Sequence, residues 1–417
     1  MLKNLISSFF TRGGIALLNF FILLLSTRQL GSDNVGQISL LILNIAVVQI
    51  INEIYTGYAL VHFVPKTNAR KLYRTGLVWT LLCTGGLNGL FLLISRIWPE
   101  SGIGAFWLHG LILSFTISLH SFHCVILLAK EKIGTYNWLM LLQPVLTFSA
   151  LCLFIFAGGN ATASSYISAL YVSYAGSALL SLFFLLRTLR QEEPERPAIP
   201  TASIVRNGLI NQLGNLAHTL SNRYNYYMIS VTTLVGVYAS ATSLIESVWI
   251  IGGSIAPVIL SHVANARNAD NNSRLTFLLC KLSFLLSTAC VLLILLLPES
   301  FFTWLLGKDF SATKNIMLHL SPGVLCISFS TVISHYFSGL GQQKVQLTAN
   351  SLGLITTLAS SYFLISRYQL IGACYAASLS YFMAALVLVV VFMKQNGFGL
   401  GDLFSFRKDL GLLKKGV

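Results

Sequence analysis

The chain has 417 residues, of which 55% are hydrophobic and 10% are charged, and its mean hydropathy is +0.74. Soluble domains carry about 25% charged residues, so 27 basic and 13 acidic side chains are too few to cover several soluble domains. The composition excludes a soluble protein and indicates a polytopic membrane protein. The net charge of +14 would favour nucleic-acid binding in a soluble chain, so the positions of the charges decide its meaning.

Windows of about 20 mostly apolar residues predict transmembrane helices, and the sequence contains twelve such windows. In chain order their approximate bounds are 7–27, 36–57, 75–95, 105–128, 137–157, 164–186, 208–232, 237–260, 276–297, 315–338, 347–366 and 371–393. Spans 7 and 10 carry many polar groups and match the pattern least well. The predicted fold class is an all-α polytopic membrane protein.

Lysine and arginine residues are concentrated in alternate loops. If the N-terminus is cytoplasmic, the inner segments hold nineteen of them and the outer segments hold five. Because cytoplasmic loops of membrane proteins are enriched in these residues, we predict that both termini are cytoplasmic. The positive charge then belongs to the inner face of the membrane, and we expect no nucleic-acid partner.

The seven cysteines lie in apolar runs, without a Cys-x-x-Cys pair and without histidine at zinc-site spacing. They are Cys83, Cys124, Cys152, Cys280, Cys290, Cys326 and Cys374. A disulfide framework or a metal site needs clustered sulfur, so these residues are predicted to be small buried or lipid-facing side chains. We expect neither a cofactor nor a metal site.

A polar, proline-rich segment separates the first six spans from the last six. A short repeat supports two halves, because Val35-Gly36 opens span 2 as Val235-Gly236 opens span 8. Six spans in each half predict parallel repeats, related by an axis along the membrane normal, around a central cavity. The tail suits an interfacial helix on anionic membrane lipids or a disordered end. The predicted parts are an N-terminal half (1–187), a cytoplasmic linker (188–206), a C-terminal half (207–394) and an amphipathic tail (395–417).

Span 7 carries six polar side chains that recur about every 3.6 residues, and they therefore lie on one face of a helix. They are Asn207, Asn211, Asn215, His218, Asn222 and Asn225. A lipid-facing stripe of this kind is not tolerated. Interhelical hydrogen bonds explain one or two such residues, whereas six at helical period favour the wall of a water-filled cavity.

Two pairs of opposite charges lie at matching depths in predicted hairpins. At 1.5 Å per residue, Arg223 and Glu246 each lie about 17 Å below the outer surface, near the middle of the membrane. Spans 1 and 2 place Arg12 and Glu53 near the cytoplasmic end, with Asn52 on the same polar face as Glu53. Neutralising ion pairs are one interpretation, and snorkelling of Arg12 to the inner headgroups is another.

The midplane charges allow two functions. A guanidinium presents a fork of N–H donors that matches phosphate oxygens, so Arg223 with the span 7 amides suits an anionic headgroup. Carboxylates that titrate inside a cavity couple transport to H⁺ or Na⁺, which suits Glu53 and Glu246. The two functions are compatible in one transporter.

Short motifs occur near several of the predicted turns. They are Thr27-Arg28-Gln29-Leu30-Gly31, Val35-Gly36-Gln37, Val235-Gly236-Val237-Tyr238-Ala239-Ser240-Ala241, Leu306-Gly307-Lys308-Asp309-Phe310, Leu320-Ser321-Pro322 and Phe337-Ser338-Gly339-Leu340-Gly341. In order and spacing they resemble the Wzx-type O-antigen and exopolysaccharide flippases of the multidrug/oligosaccharidyl-lipid/polysaccharide exporter superfamily, over nearly the whole chain. The chain departs from many of these relatives at Asn222-Arg223-Tyr224-Asn225, where they carry an acidic residue, so its site is more cationic.

The resemblance implies a transporter that moves an undecaprenyl-pyrophosphate-linked oligosaccharide from the inner to the outer leaflet of the bacterial inner membrane, by alternating access coupled to H⁺ or Na⁺. The pyrophosphate would bind Arg223, and the span 7 amides would contact sugar hydroxyls. Polymerase and chain-length proteins of the same pathway are implied partners. The expected cavity residues are Arg223, Asn211, Asn215, His218, Asn222, Asn225, Asn52 and Arg12, with Glu246 and Glu53 as coupling residues.

Two other functions stay open. An ion-coupled multidrug exporter of the same superfamily predicts an aromatic, acidic pocket for organic cations, which the asparagine stripe and Arg223 disfavour. A membrane polysaccharide polymerase or glycosyltransferase needs a loop for catalytic residues, and the longest outer loop, about 298–314, holds only Glu299 and Asp309 as acids. The sequence contains no Gly-rich phosphate loop, catalytic triad or metal cluster, so we expect a transporter and not an enzyme.

Overall fold

The computed structural model describes residues 2–57, 60–64, 67–99, 106–159, 161–190, 200–265 and 269–403. All regular secondary structure in these ranges is helical, and the predicted all-α polytopic membrane fold is confirmed. In chain order the α-helices are α1 (Leu2–Thr56), α2 (Leu60–Phe63), α3 (Ala69–Ile97), α4 (Trp107–Ala129), α5 (Ile133–Cys152), α6 (Ala163–Arg190), α7 (Thr201–Arg223), α8 (Asn225–Met228), α9 (Thr232–Glu246), α10 (Ile250–Asn265), α11 (Ala269–Leu296), α12 (Glu299–Leu306), α13 (Thr313–Gly339) and α14 (Gln343–Asn396).

Nine helices of the described ranges are long and apolar enough to cross a membrane. Two of them, α1 and α14, have 55 and 54 residues, about twice the length that one span needs. Each is divided by one residue with non-helical backbone, Gly31 (φ 77°) in α1 and Gln369 (φ 48°) in α14. The nine helices therefore supply eleven spans, and α7, with 23 residues, corresponds to predicted span 7.

The division at Gly31 replaces the outer turn that the sequence predicts between spans 1 and 2. Glycine lacks a Cβ and adopts positive φ without strain, so the chain changes direction there within one residue. Ser32 follows, and its backbone N–H and hydroxyl both donate to Asp309 Oδ2, at 3.4 and 3.3 Å. A carboxylate at this position satisfies donors at a helix start that have no partner within the helix.

Some predicted loops and spans differ from the structure in detail. The outer loop predicted at about 298–314 contains α12 and a 3₁₀ turn at Lys308–Phe310. Predicted span 8 is interrupted by a second 3₁₀ turn, Ser247–Trp249, which joins α9 to α10. Residues 191–199 of the predicted linker and the predicted tail from 404 onward lie outside the described residues, and the remaining ends of the linker belong mainly to α6 and α7.

Contacts divide the chain into two compact units. The first unit comprises Met1–Leu216, Ser230–Val237 and Leu305–Phe310. The second comprises Ala217–Ile229, Tyr238–Trp304 and Ser311–Val417. The change of unit between Leu216 and Ala217 falls inside α7, so this helix contributes its first part to one unit and its end to the other. The two six-helix halves stay a prediction.

In the first unit, the two glycines of the Val-Gly repeat meet where α1 and α9 cross. A Cβ added to Gly36 would lie 1.9 Å from the carbonyl oxygen of Thr232, and one added to Gly236 would lie 1.9 Å from that of Ser32. Only glycine fits at both positions, because the two backbones are in direct contact. The glycine of each Val-Gly pair is therefore required by the close contact between α1 and α9, which the sequence alone does not show.

In the second unit, α13 packs against α10, α11 and α14. α13 approaches α14 closely at Gly323, where an added Cβ would lie 2.6 Å from Ser378 Cα and 3.0 Å from Tyr381 Cδ2. This close crossing brings the middle of the second segment of α14 into the interior of the unit. Tyr381 is 1% exposed there and reaches the site described next.

Candidate functional site

Two helix ends that lie in the second unit carry oppositely charged residues. Arg223 is the last residue of α7, and the short helix α8 begins two residues later. Glu246 is the last residue of α9, and the 3₁₀ turn Ser247–Trp249 follows it directly. Helices that break inside a membrane protein place backbone and polar side chains where they line a cavity.

Arg223 and Glu246 form a bidentate ion pair. Arg223 Nη1 donates to Glu246 Oε1 at 3.0 Å, and Nη2 donates to Oε2. The side chain of Arg223 is 26% exposed and that of Glu246 is 6% exposed. The two residues that the hairpin prediction places at equal depth are therefore paired, and the guanidinium is more exposed than the carboxylate.

Two tyrosines complete the surroundings of this pair. The Tyr381 hydroxyl donates to Glu246 Oε1 at 2.8 Å. The Arg223 guanidinium carbon lies 5.5 Å from the ring centroid of Tyr226, within the range of a cation–π contact. Both charges of the pair are thus held by side chains from further helices of the unit, which fixes the pair in one geometry.

A cavity of about 490 Å³ opens beside the ion pair. It is lined by His218, Thr219, Asn222, Arg223, Ser243, Glu246, Ser247 and Trp249. Hydroxyl, amide and imidazole groups can exchange hydrogen bonds with a polyhydroxylated ligand, and the indole of Trp249 offers an apolar face. The lining can therefore hold a polar ligand that carries an anionic group near Arg223.

The predicted polar stripe of span 7 reaches this cavity only at its C-terminal part. His218 and Asn222 line the wall, with Asn222 Nδ2 3.2 Å from His218 Nε2. Asn207 and Asn215 are exposed and belong to the first unit. The side chain of Asn211 lies outside the described residues.

Asn225 occupies the protein interior. It is 0% exposed, its Nδ2 donates to the carbonyl oxygen of Ala373 at 2.9 Å, and its Oδ1 accepts from the Ser361 hydroxyl at 2.5 Å. The amide therefore links α8 to both segments of α14. These contacts leave no side of the amide facing the cavity, so we expect Asn225 to hold the helices in place.

The remaining predicted site residues belong to the first unit. Asn52 is 0% exposed, and its Nδ2 donates to Thr56 Oγ1 at 2.9 Å. Glu53 accepts hydrogen bonds from Gln49 Nε2 at 3.2 Å and from Ser121 Oγ at 3.1 Å. Arg12 is exposed and forms no ion pair with Glu53. The neutralising pair considered for these two residues is therefore not present.

Sequence reasoning missed Trp249 and Tyr381. Both lie in apolar windows without a local polar pattern, and their rings are in edge-to-face contact at 5.6 Å. Trp249 Nε1 donates to the carbonyl oxygen of Val324 at 3.1 Å, which fixes the ring at the cavity wall. A tyrosine hydroxyl within a predicted span is the signal that could have pointed to Tyr381, since such a group needs a partner.

Among the residues that the structure describes, no group of three or more His, Cys, Asp or Glu side chains could hold a metal ion. The chemistry that the cavity offers is hydrogen bonding and charge pairing.

Two solved transporter structures share this fold. One is the inward closed conformation of the lipid II flippase MurJ, with a TM-score of 0.72 and 15% identity, over 99% of this chain and 91% of that one. The other is an inward-facing multidrug resistance MATE family transporter of the MOP superfamily, with a TM-score of 0.75 and 16% identity, over 97% and 96%. The chain is a multi-pass membrane protein with the fold of MOP-superfamily transporters, as its sequence motifs predict.

Among curated proteins, the capsular polysaccharide biosynthesis protein CapF of Staphylococcus aureus is 27% identical over 164 residues. That match spans 37% of this chain and 41% of CapF, so the similar region is less than half of either protein. No protein-family model matches the chain.

Proposed function

We propose that this protein is a transporter, and not an enzyme, that moves an undecaprenyl-pyrophosphate-linked oligosaccharide from the inner to the outer leaflet of the bacterial cytoplasmic membrane. Both termini lie on the cytoplasmic side in this proposal. The substrate headgroup enters a polar cavity while its polyprenyl tail stays in lipid. The similarity to a capsular polysaccharide biosynthesis protein and the fold shared with a lipid II flippase support this class of substrate.

The exposed guanidinium of Arg223 is the observation that carries the proposal. A guanidinium has five N–H donors, and Glu246 takes up two of them. The exposed remainder faces a cavity rich in hydroxyl and amide groups. A phosphate group matches the donor geometry of arginine, and Asn222 and His218 lie within the same wall to bind sugar hydroxyls.

Coupling to H⁺ or Na⁺ is assigned to the carboxylates. Glu246 contacts Arg223, the proposed anion-binding residue, directly. Glu53 is half-buried in the first unit and accepts hydrogen bonds from Gln49 and Ser121. Rocking of one part of the molecule against the other would expose the cavity to each side of the membrane in turn.

A multidrug exporter is the second candidate, because a MATE family transporter shares the fold. Glu246 beside Trp249 and Tyr381 offers the acidic and aromatic groups that an organic cation prefers. The ion pair with Arg223 neutralises that carboxylate, which weakens its attraction for a cation. We therefore favour the lipid-linked oligosaccharide.

Gene deletion in the bacterium that carries the protein tests the proposal. We expect the lipid-linked oligosaccharide to accumulate on the inner leaflet, as measured by leaflet-specific labelling of its sugars in membrane vesicles. Complementation with Arg223→Ala should fail, whereas Arg96→Ala, an exposed arginine outside the cavity, should restore surface polysaccharide at equal protein levels. Accumulation on the outer leaflet would indicate a polymerase, and altered drug accumulation alone would indicate an exporter.

A further inference from the structure

The ion pair occupies two of the five N–H donors of Arg223, one on each terminal nitrogen. Both terminal nitrogens of Arg223 point to the two oxygens of Glu246. A phosphate binds a guanidinium through the same parallel arrangement of two N–H···O hydrogen bonds. Within the cavity, Glu246 therefore occupies the position relative to Arg223 that two phosphate oxygens would take.

We propose that Glu246 and a phosphate-bearing headgroup compete for Arg223, so that Glu246 takes up one proton when the headgroup binds. This inference rests on the anion site of the proposed function and assigns the coupling ion, a proton, to that same site. In the empty site the carboxylate neutralises the guanidinium. In the occupied site the carboxylate becomes a carboxylic acid, and the headgroup supplies the negative charge.

Electrostatics favours this exchange over simultaneous binding of both anions. An anion that approaches the ion pair is attracted by Arg223 and repelled by Glu246, whose two oxygens contact the same guanidinium. The repulsion is strong here because Glu246 is 6% exposed, so water screens it poorly. Protonation of Glu246 removes the repulsion, and the full charge of Arg223 then acts on the headgroup.

The surroundings of Glu246 can hold its neutral form. The Tyr381 hydroxyl, 2.8 Å from Oε1, can donate to a carboxylic acid oxygen or accept from the acid proton. A neutral acid also has a lower cost of burial than a carboxylate. The side chain therefore keeps a hydrogen-bond partner after it releases Arg223, and no buried charge is left without a counter-charge.

The coupling is reciprocal, as for any two ligands of one protein. A headgroup that favours protonation of Glu246 must bind more tightly when Glu246 is already protonated. The sign is fixed: affinity for the anion rises as the pH falls, until Glu246 is protonated in the empty site. An excess of protons on the side of loading would then promote headgroup binding.

His218 also titrates near neutral pH in many proteins, so its contribution to proton uptake has to be separated from that of Glu246. The groups that interact electrostatically with the pair are His218 from α7, Tyr226 from α8, Tyr238 from α9 and Tyr381 from α14. Tyrosine and arginine keep their protons near neutral pH. His218 is the one member of this set that commonly titrates there, so a His218→Asn variant separates its contribution from that of Glu246.

Calorimetry on the purified full-length protein tests the proposal. Inorganic pyrophosphate and geranyl pyrophosphate serve as probes, and geraniol controls for binding of the prenyl chain. Titrations in buffers of different ionisation enthalpy give the number of protons taken up. We expect the wild type to take up protons on binding and to bind more than tenfold more tightly at pH 6 than at pH 8, relative to the same probe with Glu246→Gln, because the phosphate groups of the probes also titrate in this range. Both probes should bind if the headgroup is the recognised group, and tighter binding of geranyl pyrophosphate would indicate a lipid source.

The Glu246→Gln variant should bind both probes about tenfold or more tightly than the wild type at pH 8, with no proton exchange beyond that of the probe itself. Tyr381→Phe tests the same competition, because the hydrogen bond that Tyr381 donates to the carboxylate is stronger than the one it can form with the neutral acid. It should raise affinity at pH 8 by a smaller factor. The His218→Asn variant should keep the proton uptake of the wild type.

Three other results would contradict the competition, the assignment of the proton to Glu246, or the anion site itself. Equal affinity of the wild type and Glu246→Gln, without proton exchange beyond that of the probe in either, would disprove competition while leaving the anion site intact. Proton uptake that persists in Glu246→Gln and disappears in His218→Asn would assign the proton to the histidine. If neither probe binds any of these variants, the anion site of the proposed function is wrong as well.

Discussion

Tyr381 donates a 2.8 Å hydrogen bond to Glu246 Oε1, across 135 residues of sequence. Arg223 Nη1 binds the same oxygen at 3.0 Å. The carboxylate at the end of α9 is therefore held by the end of α7 and by the second segment of α14 together. Any movement that separates these helices must break a contact to Glu246, which makes this residue sensitive to the conformation of the whole second unit.

Tyr381→Phe should lower stability by about 1–2 kcal/mol, because a buried hydrogen bond to a charged group is lost while the ring stays in place. The matched control is Tyr362→Phe, since Tyr362 is 67% exposed and should change the stability by less than about 0.5 kcal/mol. Thermal unfolding of the purified protein in one detergent measures both. A similar melting temperature for the two variants would argue against the hydrogen bond.

Arg223→Ala should destabilise the protein by about 3–5 kcal/mol, since it leaves the buried carboxylate of Glu246 without a counter-charge. The double variant Arg223→Ala/Glu246→Gln should recover much of this loss, because neither charge is then buried alone. Transport should stay absent in the double variant, since the anion-binding group is missing. Thermal unfolding and a polysaccharide assay on the same set separate the two effects. Full recovery of transport in the double variant would show that Arg223 acts only as a partner of Glu246.

Much of the fold follows from local sequence patterns. Apolar windows predict the spans, and the long helices α1 and α14 divide where the sequence predicts turns between two spans, at Gly31 and Gln369. The break after α9 at Glu246 cannot be predicted from hydropathy. A hydropathy window that includes the 3₁₀ turn Ser247–Trp249 is apolar enough to indicate one continuous transmembrane helix. A backbone break of this kind depends on packing against other helices.

The candidate site was predictable only in part, for a physical reason. Helical periodicity places Asn222 and Asn225 on one face of span 7, but the partners of each side chain decide its role. Asn225 is bound by Ala373, 148 residues away, whereas Asn222 faces the cavity. Periodicity within one helix carries no information about such distant partners. The depth argument from a hairpin held for Arg223 and Glu246 but failed for Arg12, which is exposed, and Glu53. Equal depth does not fix the direction in which each side chain leaves its helix.

Gly236→Ala should disturb the crossing of α1 and α9, because the new Cβ would lie 1.9 Å from the carbonyl oxygen of Ser32. The two backbones must then separate, at a cost of about 1–3 kcal/mol or more. Gly85→Ala is the control, since a Cβ there meets no atom within 4 Å and alanine favours the helix by about 0.5–1 kcal/mol.

Accumulation in the membrane and thermal unfolding check this pair of variants. We expect the first to fall for Gly236→Ala and to stay at the wild-type level for Gly85→Ala. Gly36→Ala should behave like Gly236→Ala, because its Cβ would lie equally close to the carbonyl oxygen of Thr232. A tolerant Gly236→Ala variant would mean that the two helices can separate at this point without loss.

Asn225→Ala and Asn215→Ala should separate a structural asparagine from an exposed one within the same predicted stripe. Asn225 is 0% exposed, and its replacement removes its hydrogen bonds with the Ala373 carbonyl and the Ser361 hydroxyl. We expect a loss of about 1–3 kcal/mol, measured by thermal unfolding. Asn215 is exposed, and its replacement should change stability by less than about 0.5 kcal/mol. If Asn225 instead bound sugar directly, Asn225→Ala would weaken ligand binding at unchanged stability, so ligand titration beside the unfolding curve decides between the two roles.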